Sequence, residues 1–247
     1  MADVVTYHSK DHIATITINR PEALNALDEA VIQGLQQAWL RLQEGEDRCA
    51  ILAAAGDRAF SVGADLKHPP AEMWQGVPGV GVEVDKPIIA AVKGFCVGGA
   101  YVIVQNCDLV VAADSTVFIY PEAQVGFTGG LIAGAAARLP HKVAMEFMLL
   151  GQRLGAERAY EVGMVNKLTP VGLEIEGAME YARILAESAP LVVRTLKRFV
   201  NATVVPKSPS ELSAIYRRDL LAVRNSADGA EGRKAFAEKR KPKFHGR

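Results

Sequence analysis

The chain has 247 residues, of which 49% are hydrophobic and 23% charged, and its 28 basic and 28 acidic side chains cancel. This composition is ordinary for a protein with a substantial core, and the length fits one large domain or two small ones. The zero net charge argues against a broad basic surface for nucleic acid or for an anionic membrane.

The N-terminal residues and the cysteines indicate in which cellular compartment the protein is expected. Residues 1–5 show no basic stretch followed by an apolar core, so no signal peptide is expected. No run reaches the roughly 18 apolar residues of a membrane span. Cys49, Cys96 and Cys107 are widely spaced in apolar segments, which favours buried thiols over disulfides or a metal site. We expect a cytoplasmic protein with no bound metal.

The first hundred residues alternate between strand and helix patterns. β-branched residues predict a strand over 12–18, Asp28 can cap an amphipathic helix after it, and residues 49–55 predict a second, buried strand. This order indicates a right-handed crossover in a largely parallel sheet. Residues 68–84, rich in proline and glycine, predict an irregular loop with at most one short helix near 71–75. Its length fits both a functional lid and a disordered insertion.

A pair of glycines follows the next buried strand. Residues 88–92 predict that strand, and Gly98 and Gly99 precede a predicted helix over 100–105. Without a Cβ, the backbone there can approach a ligand closely, and the helix start leaves N–H groups unpaired. Such an N–H, aimed at a developing negative oxygen, is part of an oxyanion hole. Taken alone, the pair is more typical of a tight turn.

The pattern changes near residue 133. Before it, residues 107–113 and 116–120 predict two short strands, and after it the chain is mainly helical, with one short strand over 164–168. Helices are predicted over 156–162, 173–188, 190–202 and 209–224, and the basic tail from 229 starts helical. The change suggests a strand-rich core followed by a helical C-terminal part.

Several stretches, in this order and at this spacing, carry a resemblance to a known family. They are residues 19–27, 59–67, 86–94 with Gly98 and Gly99, 107–108 with Phe118, the pair Pro121-Glu122, 161–166 and 231–242. One such motif is weak, but the ordered set resembles the crotonase superfamily, which is the enoyl-CoA hydratase/isomerase family. The resemblance covers nearly the whole chain.

The resemblance implies an α/β fold, a spiral of ββα units, with a helical C-terminal region that forms trimers or dimers of trimers. We assign residues 1–190 to the spiral core with the acyl-CoA site and 191–247 to the helical region of the same fold. The implied substrates are acyl-coenzyme A thioesters. Coenzyme A is then part of the substrate, and no separate cofactor is expected.

By motif match, the N–H groups of Ala64 and Gly99 would form the oxyanion hole for the thioester carbonyl. Removing a proton next to a thioester, or adding a nucleophile across its conjugated double bond, places negative charge on that oxygen. Two preorganised donors stabilise the charge, and loss of one typically costs a few kcal/mol.

Matching positions also imply contacts to coenzyme A. The residues are Ala23, Leu24, Val62, Asp65 and Leu66, with Phe236 and Lys239 reaching the coenzyme from the last helix, often that of a neighbouring subunit. A lysine near phosphates is electrostatically favourable, although a basic tail alone is more typical of a solvated charge run. Glu22 departs from the lysine or arginine common in the family, so a phosphate contact there is not expected.

Glu122 in the Pro-Glu motif is the expected acid/base. Family hydratases use two glutamates to activate one water, and the other would stand three residues beyond Gly99, where this chain has Val102. Family isomerases keep only the Pro-Glu glutamate, which takes a proton from C2 and returns it to C4. We therefore expect isomerase-type proton transfer, with Asp65 orienting the oxyanion loop.

Other activities stay open. They are hydration with Glu122 alone, another enolate reaction such as decarboxylation or hydrolysis, and acyl-CoA or RNA binding without turnover, although the balanced charge argues against RNA. For Tyr101 and Tyr120 packing is favoured over proton transfer, and for His68 exposure is favoured. Departures from the family pattern in residues 65–86 and 126–134 border the acyl pocket, so the acyl group is left open.

Overall fold

The computed structural model describes residues 3–247. The strands are β1 (Val5–Lys10), β2 (Ile13–Ile18), β3 (Cys49–Ala54), β4 (Ala59–Ser61), β5 (Ile88–Val92), β6 (Phe95–Val97), β7 (Leu109–Ala113), β8 (Val117–Ile119), β9 (Leu154–Gly155) and β10 (Lys167–Thr169). The helices are α1 (Glu29–Glu44), α2 (Gly99–Val104), α3 (Glu122–Val125), α4 (His141–Leu150), α5 (Ala156–Glu161), α6 (Glu174–Glu187), α7 (Pro190–Phe199), α8 (Pro209–Asn225) and α9 (Ala227–Ala237).

The larger sheet has six strands in the order β1-β2-β3-β5-β7-β10. β2, β3, β5, β7 and β10 are parallel, and β1 joins the edge as an antiparallel strand. β3 and β5 are buried at every position, as expected for strands covered on both faces. Helix α1 packs on one face, where Leu35 and Trp39 are fully buried, and α6 packs on the other. The predicted parallel sheet and crossover are confirmed.

The smaller sheet leads the chain into the glycine pair. Its four strands lie in the order β4-β6-β8-β9, with β4, β6 and β8 parallel and β9 antiparallel to β8. β6 ends at Val97, directly before Gly98, and β8 ends two residues before Pro121. Because neighbouring parallel strands end at one edge of a sheet, the residues after β6 and β8 lie side by side.

Two predicted elements need correction. The strand expected over 164–168 lies at Lys167–Thr169, because Met164 and Val165 are buried in the turn after Gly163, whose φ is +80°. The helix expected over 190–202 ends at Phe199 and continues as a π-helix over Val200–Val204. Strand β9 was not predicted within the mainly helical part after residue 133.

Strand β1 was not predicted, because its residues alternate poorly at an exposed sheet edge. The helix capped by Asp28 is confirmed, since its carboxylate accepts a hydrogen bond from the Val31 N–H at 2.9 Å. The short helix expected near 71–75 is a 3-10 helix over Met73–Gly76. All three cysteines carry free thiols.

The C-terminal helices α7, α8 and α9 expose many large apolar side chains. More than half of the surface is exposed for Leu191, Leu196, Phe199, Leu220, Val223 and Phe236. Across residues 3–247, none of the helices combines the length and the apolar character that a membrane crossing requires. Exposed apolar side chains that form one patch are typical of a protein–protein contact.

Candidate functional site

The Ala64 loop runs beside the end of the chain's first motif, residues 19–27. The Leu27 N–H donates to the Gly63 carbonyl at 2.8 Å, and the Asp65 N–H donates to the Leu27 carbonyl at 2.9 Å. Ala64 lies between these two bonds and pairs with Leu27 as an isolated parallel bridge. Its own N–H therefore points away from Leu27, and nothing in residues 3–247 accepts a hydrogen bond from it.

Asn25 ties this region to the core. It is buried, with a φ of +56°, and its side-chain amide donates to the carbonyls of Ala55 at 2.8 Å and Ala59 at 3.0 Å. Its Oδ1 accepts the Arg20 N–H at 2.9 Å. The left-handed conformation is one that asparagine tolerates better than most residues. Sequence reasoning quoted Asn25 within a motif but assigned it no role.

Asp65 stabilises the turn that follows Ala64. Its Oδ1 accepts the N–H groups of Lys67 at 3.0 Å and His68 at 3.3 Å, and its Oδ2 lies 3.5 Å from the Arg20 guanidinium. Burial acts to raise the pKa of Asp65, but these hydrogen bonds and the Arg20 charge outweigh it and lower the pKa. Arg20 also pairs with Asp28 at 3.0 Å. These contacts hold the turn after Ala64, and the role of Asp65 in orienting the oxyanion loop stays a prediction.

Gly98 and Gly99 face the same loop from the other side. Gly98 has a φ of +54° and donates its N–H to the Ile119 carbonyl at 2.8 Å. A Cβ at Gly63 would lie 3.5 Å from the Gly99 nitrogen, so the backbones of the two segments meet here. Gly99 begins α2, and in the described chain its N–H donates to no carbonyl. The Gly99 N–H is therefore available to an acceptor from outside the described chain.

Glu122 lies directly behind this turn. Its Oε1 is 2.5 Å from the point a Gly98 Cβ would occupy, and its Oε2 is buried without a hydrogen-bond partner anywhere in residues 3–247. Burial raises the pKa of Glu122 to about 7, and the hydrogen bond from its own backbone N–H offsets only part of this. A carboxyl group with such a pKa can both accept and return a proton near neutral pH.

The other candidate residues near the glycine pair contribute less to the chemistry of the site. Val102 is 5% exposed and packs in the apolar core, so the position brings no second carboxylate. Tyr101 packs edge-on against Phe147, with ring centroids 4.8 Å apart. The Tyr120 hydroxyl lies 3.1 Å from Thr128 Oγ1, and His68 is exposed.

Met73 and Leu27 provide the apolar wall that the glycine pair faces. A Cβ on Gly99 would overlap Met73 Cε, would lie 3.6 Å from Met73 Sδ, and would lie 3.8 Å from Leu27 Cδ1. Sequence reasoning missed Met73, because a single methionine in an irregular loop gives no sign of what it packs against.

The residues expected to bind coenzyme A divide into two groups. Leu24 and Val62 are half-buried and joined by the hydrogen bond from the Val62 N–H to the Leu24 carbonyl at 3.2 Å, with Ala23 next to them. Leu66 is 84% exposed beside Asp65. Phe236 is 89% exposed on the last helix, and Lys239 is exposed after it, so this chain does not pack either residue against the site.

One cavity adjoins a residue expected to bind coenzyme A, and another lies away from the predicted site. One of about 280 Å³ lies between residues 21–25 and 55–59 and includes Leu24. Another of about 510 Å³ lies between the end of α2 and the helices α7 and α8, and neither Glu122 nor Gly99 lines it. The Leu24 cavity alone adjoins the predicted site.

Comparisons with known proteins point the same way. The family model described as "Enoyl-CoA hydratase/isomerase" matches residues 8–247. The (E)-benzylidenesuccinyl-CoA hydratase of Thauera aromatica is 36% identical over 98% of this chain and 99% of its own length. The mitochondrial enoyl-CoA hydratase of Pongo abelii is 33% identical over 94% of this chain and 83% of its own. The solved structure of a carnitinyl-CoA dehydratase from Mycobacterium avium 104 has a TM-score of 0.78, is 33% identical and covers 100% of both chains.

Proposed function

Because these matches show that the chain belongs to the enoyl-CoA hydratase/isomerase family, we propose that Glu122 moves a proton beside the carbonyl of an acyl-CoA thioester. One observation carries the proposal. The Glu122 carboxyl is half-buried, its Oε2 has no partner in residues 3–247, and it borders the turn that leaves the Gly99 N–H free. A titratable group with a perturbed pKa beside unpaired donors is a typical catalytic arrangement.

The N–H groups of Ala64 and Gly99 donate to the thioester oxygen. Abstraction of a C2 proton moves charge onto that oxygen, and donors already in place stabilise the resulting enolate. The support is that both N–H groups lack acceptors in the described chain, and that Gly63 and Gly99 are in close approach. Asp65 holds the loop that presents the Ala64 N–H.

The proton transfer that suits the site best is isomerisation. The Glu122 carboxylate takes a proton from C2 of a 3-enoyl thioester, and the electrons of the 3-double bond remain conjugated in the dienolate. The same carboxyl returns the proton to C4, which leaves a 2-double bond. A pKa near 7 favours both halves of this exchange, and Val102 offers no second carboxylate to hold a water.

Hydration with Glu122 alone is the second candidate. The names of the relatives favour it, because they are hydratases and a dehydratase at 33–36% identity. In that reaction Glu122 would activate a water for addition at C3, without the second glutamate. The absence of that glutamate predicts slow hydration relative to isomerisation.

Coenzyme A would lie along Ala23, Leu24, Val62, Asp65 and Leu66. Phe236 and Lys239 would complete the site from a second copy of the chain, which suits their exposure on the last helix. The exposed apolar faces of α7 and α8 would then be the contact between copies in a trimer. Light scattering during size-exclusion chromatography measures that mass directly, and a monomer would contradict this assignment.

The test is Glu122→Gln, assayed for 3-enoyl-CoA isomerisation, 2-enoyl-CoA hydration and exchange of the C2 protons followed by NMR. We expect losses of about 10²–10⁴-fold, as for other general acid–base residues. Glu157→Gln is the matched control, because Glu157 also lies in the first turn of a short helix but is exposed. Unchanged rates in Glu122→Gln would remove the acid/base role. Acyl-CoA binding by the wild type without any C2 exchange would indicate a protein that binds but does not turn over.

A further inference from the structure

The segment 71–80 forms one wall of the site through Met73. The Met73 methyl group occupies the space that a Cβ of Gly99 would need, and Leu27 Cδ1 closes the space beside it. A carbonyl oxygen accepting the Gly99 N–H lies about 2.9 Å from that nitrogen. The first carbons of the acyl group then come within van der Waals reach of the thioether.

The residues on both sides of Met73 bind helix α8. Glu72 forms an ion pair with Arg217, in which Nη1 lies 3.1 Å from Oε2 and Nη2 contacts Oε1. The Arg217 guanidinium also lies 5.7 Å from the centre of the Trp74 ring, and the Trp74 indole N–H donates to Glu72 at 2.6 Å. Carboxylate, indole and guanidinium together hold the segment against α8 on either side of Met73.

Further contacts fix the ends of the segment. The Ala71 N–H donates to Glu29 Oε2 at 2.9 Å, and the Trp39 indole donates to the Gly76 carbonyl at 2.9 Å. Arg218 donates to the Val80 carbonyl at 3.3 Å. The segment is therefore anchored to both α1 and α8, and the freedom that remains at Met73 is that of its flexible side chain.

We propose that Met73 is a specificity-determining residue that limits branching of the acyl group near the carbonyl, and that the Arg217–Glu72 pair is its positioning contact. The inference rests on the proposed function, because it assumes that a thioester binds at Gly99. Unbranched acyl groups pass beside the thioether, while a branch at C3 meets it. One extra methyl group in an apolar pocket typically changes discrimination by about tenfold or more.

The experiment measures binding of butyryl-CoA, isovaleryl-CoA and free coenzyme A by calorimetry, since these saturated thioesters are not isomerised or hydrated. We expect the wild type to prefer butyryl-CoA, and Met73→Ala to shift the isovaleryl-to-butyryl affinity ratio by about tenfold towards isovaleryl-CoA. Met73→Leu keeps the volume and should shift the ratio by less than about threefold. Met179→Ala, on the far face of the sheet, is the control and leaves the ratio unchanged.

Arg217→Ala tests the positioning contact on an exposed helix surface. We expect a shift of the ratio in the same direction by about threefold, and only partial recovery in Arg217→Lys, which retains the charge for Glu72 but not the two-pronged contact. An equal loss of affinity for both thioesters would show a purely structural role and overturn the positioning assignment.

The outcomes separate the two proposals. If the wild type binds neither thioester more tightly than free coenzyme A, the proposed function is wrong. If it binds both and Met73→Ala leaves the ratio unchanged, the proposed function stands and the role of Met73 is wrong.

Discussion

The candidate site has two sides, which we call walls. On one wall, formed by residues 20–28 and 61–68, the polar side chains of Asn25 and Asp65 have partners within the protein. Asn25 makes three hydrogen bonds, and Asp65 accepts two backbone N–H groups and faces Arg20. On the other wall, formed by Gly98, Gly99 and Glu122, the Glu122 Oε2 and the Gly99 N–H have no partner in residues 3–247. The two carboxyl groups respond in opposite directions, since the pKa of Asp65 is lowered and that of Glu122 is raised to about 7.

This difference distinguishes residues that hold the backbone in place from a residue that can exchange a proton. A paired carboxylate is stabilised in its charged form and gains nothing by exchanging a proton, whereas an unpaired, half-buried carboxyl is ready to do so. The unpartnered groups of Gly99 and Glu122 lower the stability of the fold. They stay in place because the other wall and the two sheets hold the backbone there. Substitutions on the two walls should therefore affect different measurements.

Asn25→Ala should have the largest effect of these substitutions, and it should act on the free energy of unfolding. The change leaves the carbonyls of Ala55 and Ala59 without their donor and places alanine at a φ of +56°. We expect a loss of about 3 kcal/mol in the free energy of unfolding, measured by urea denaturation. Asn19→Ala is the control, because its side chain makes one exposed hydrogen bond, to the Asp3 carbonyl at 3.2 Å. Similar losses in both variants would contradict the assignment of Asn25 to the residues that hold the backbone in place.

The contacts of Asn25 and Asp65 show which part of the site could not be predicted from the sequence. The resemblance assigned Ala64, Asp65, Gly99 and Glu122 to one site. Sequence patterns predicted β2, β3 and β5 nearly to the residue, and they predicted where α1 begins. Asn25 was hidden, because its role depends on carbonyls of Ala55 and Ala59 that lie thirty residues away. Met73 was missed because its loop has no periodic pattern and because the residue it contacts, Gly99, is distant in sequence. Contacts distant in sequence leave no local signal.

The unpaired wall predicts a pH dependence of the rate. If Glu122 acts as the base, kcat/KM falls as the pH drops below its pKa of about 7, because the carboxyl becomes protonated. We expect about a fiftyfold loss between pH 7 and pH 5, and a plateau above pH 8. Asp65 titrates far lower because its pKa is lowered, so it does not shape this range. A profile that is flat from pH 5 to pH 8 would rule out Glu122 as the titrating base.

Gly98→Ala should disturb the unpaired wall without removing a functional group. A Cβ there would stand 2.5 Å from Glu122 Oε1, so the carboxyl must move. We expect kcat/KM to fall by about tenfold, as displaced catalytic groups lose efficiency steeply. Gly172→Ala is the control for backbone strain, since its φ is +88° and no atom lies within 4 Å of the added Cβ. In the Glu122→Gln background, Gly98→Ala should add little further loss, and a full additional tenfold would show that its effect does not pass through Glu122.

The smallest effect should be a gain in stability when the unpaired carboxyl is neutralised. Burial raises the pKa of Glu122 to about 7 from an unfolded value of 4.5, so the folded chain holds the proton more tightly. Below pH 4.5 the carboxyl is protonated in both states and has no effect. As the pH rises from 4.5 to 7 the unfolded state ionises first, and the wild type loses stability relative to Glu122→Gln.

Because Glu122 is only half-buried, we expect Glu122→Gln to gain about 1 kcal/mol at pH 8, which raises the melting temperature by about 2–4 °C. At pH 4 the two proteins should melt together. Glu157→Gln, at an exposed position, should show no such divergence. A variant that is less stable than the wild type at pH 8 would mean that the Glu122 carboxylate is stabilised by a partner, and the contrast between the two walls would then be lost.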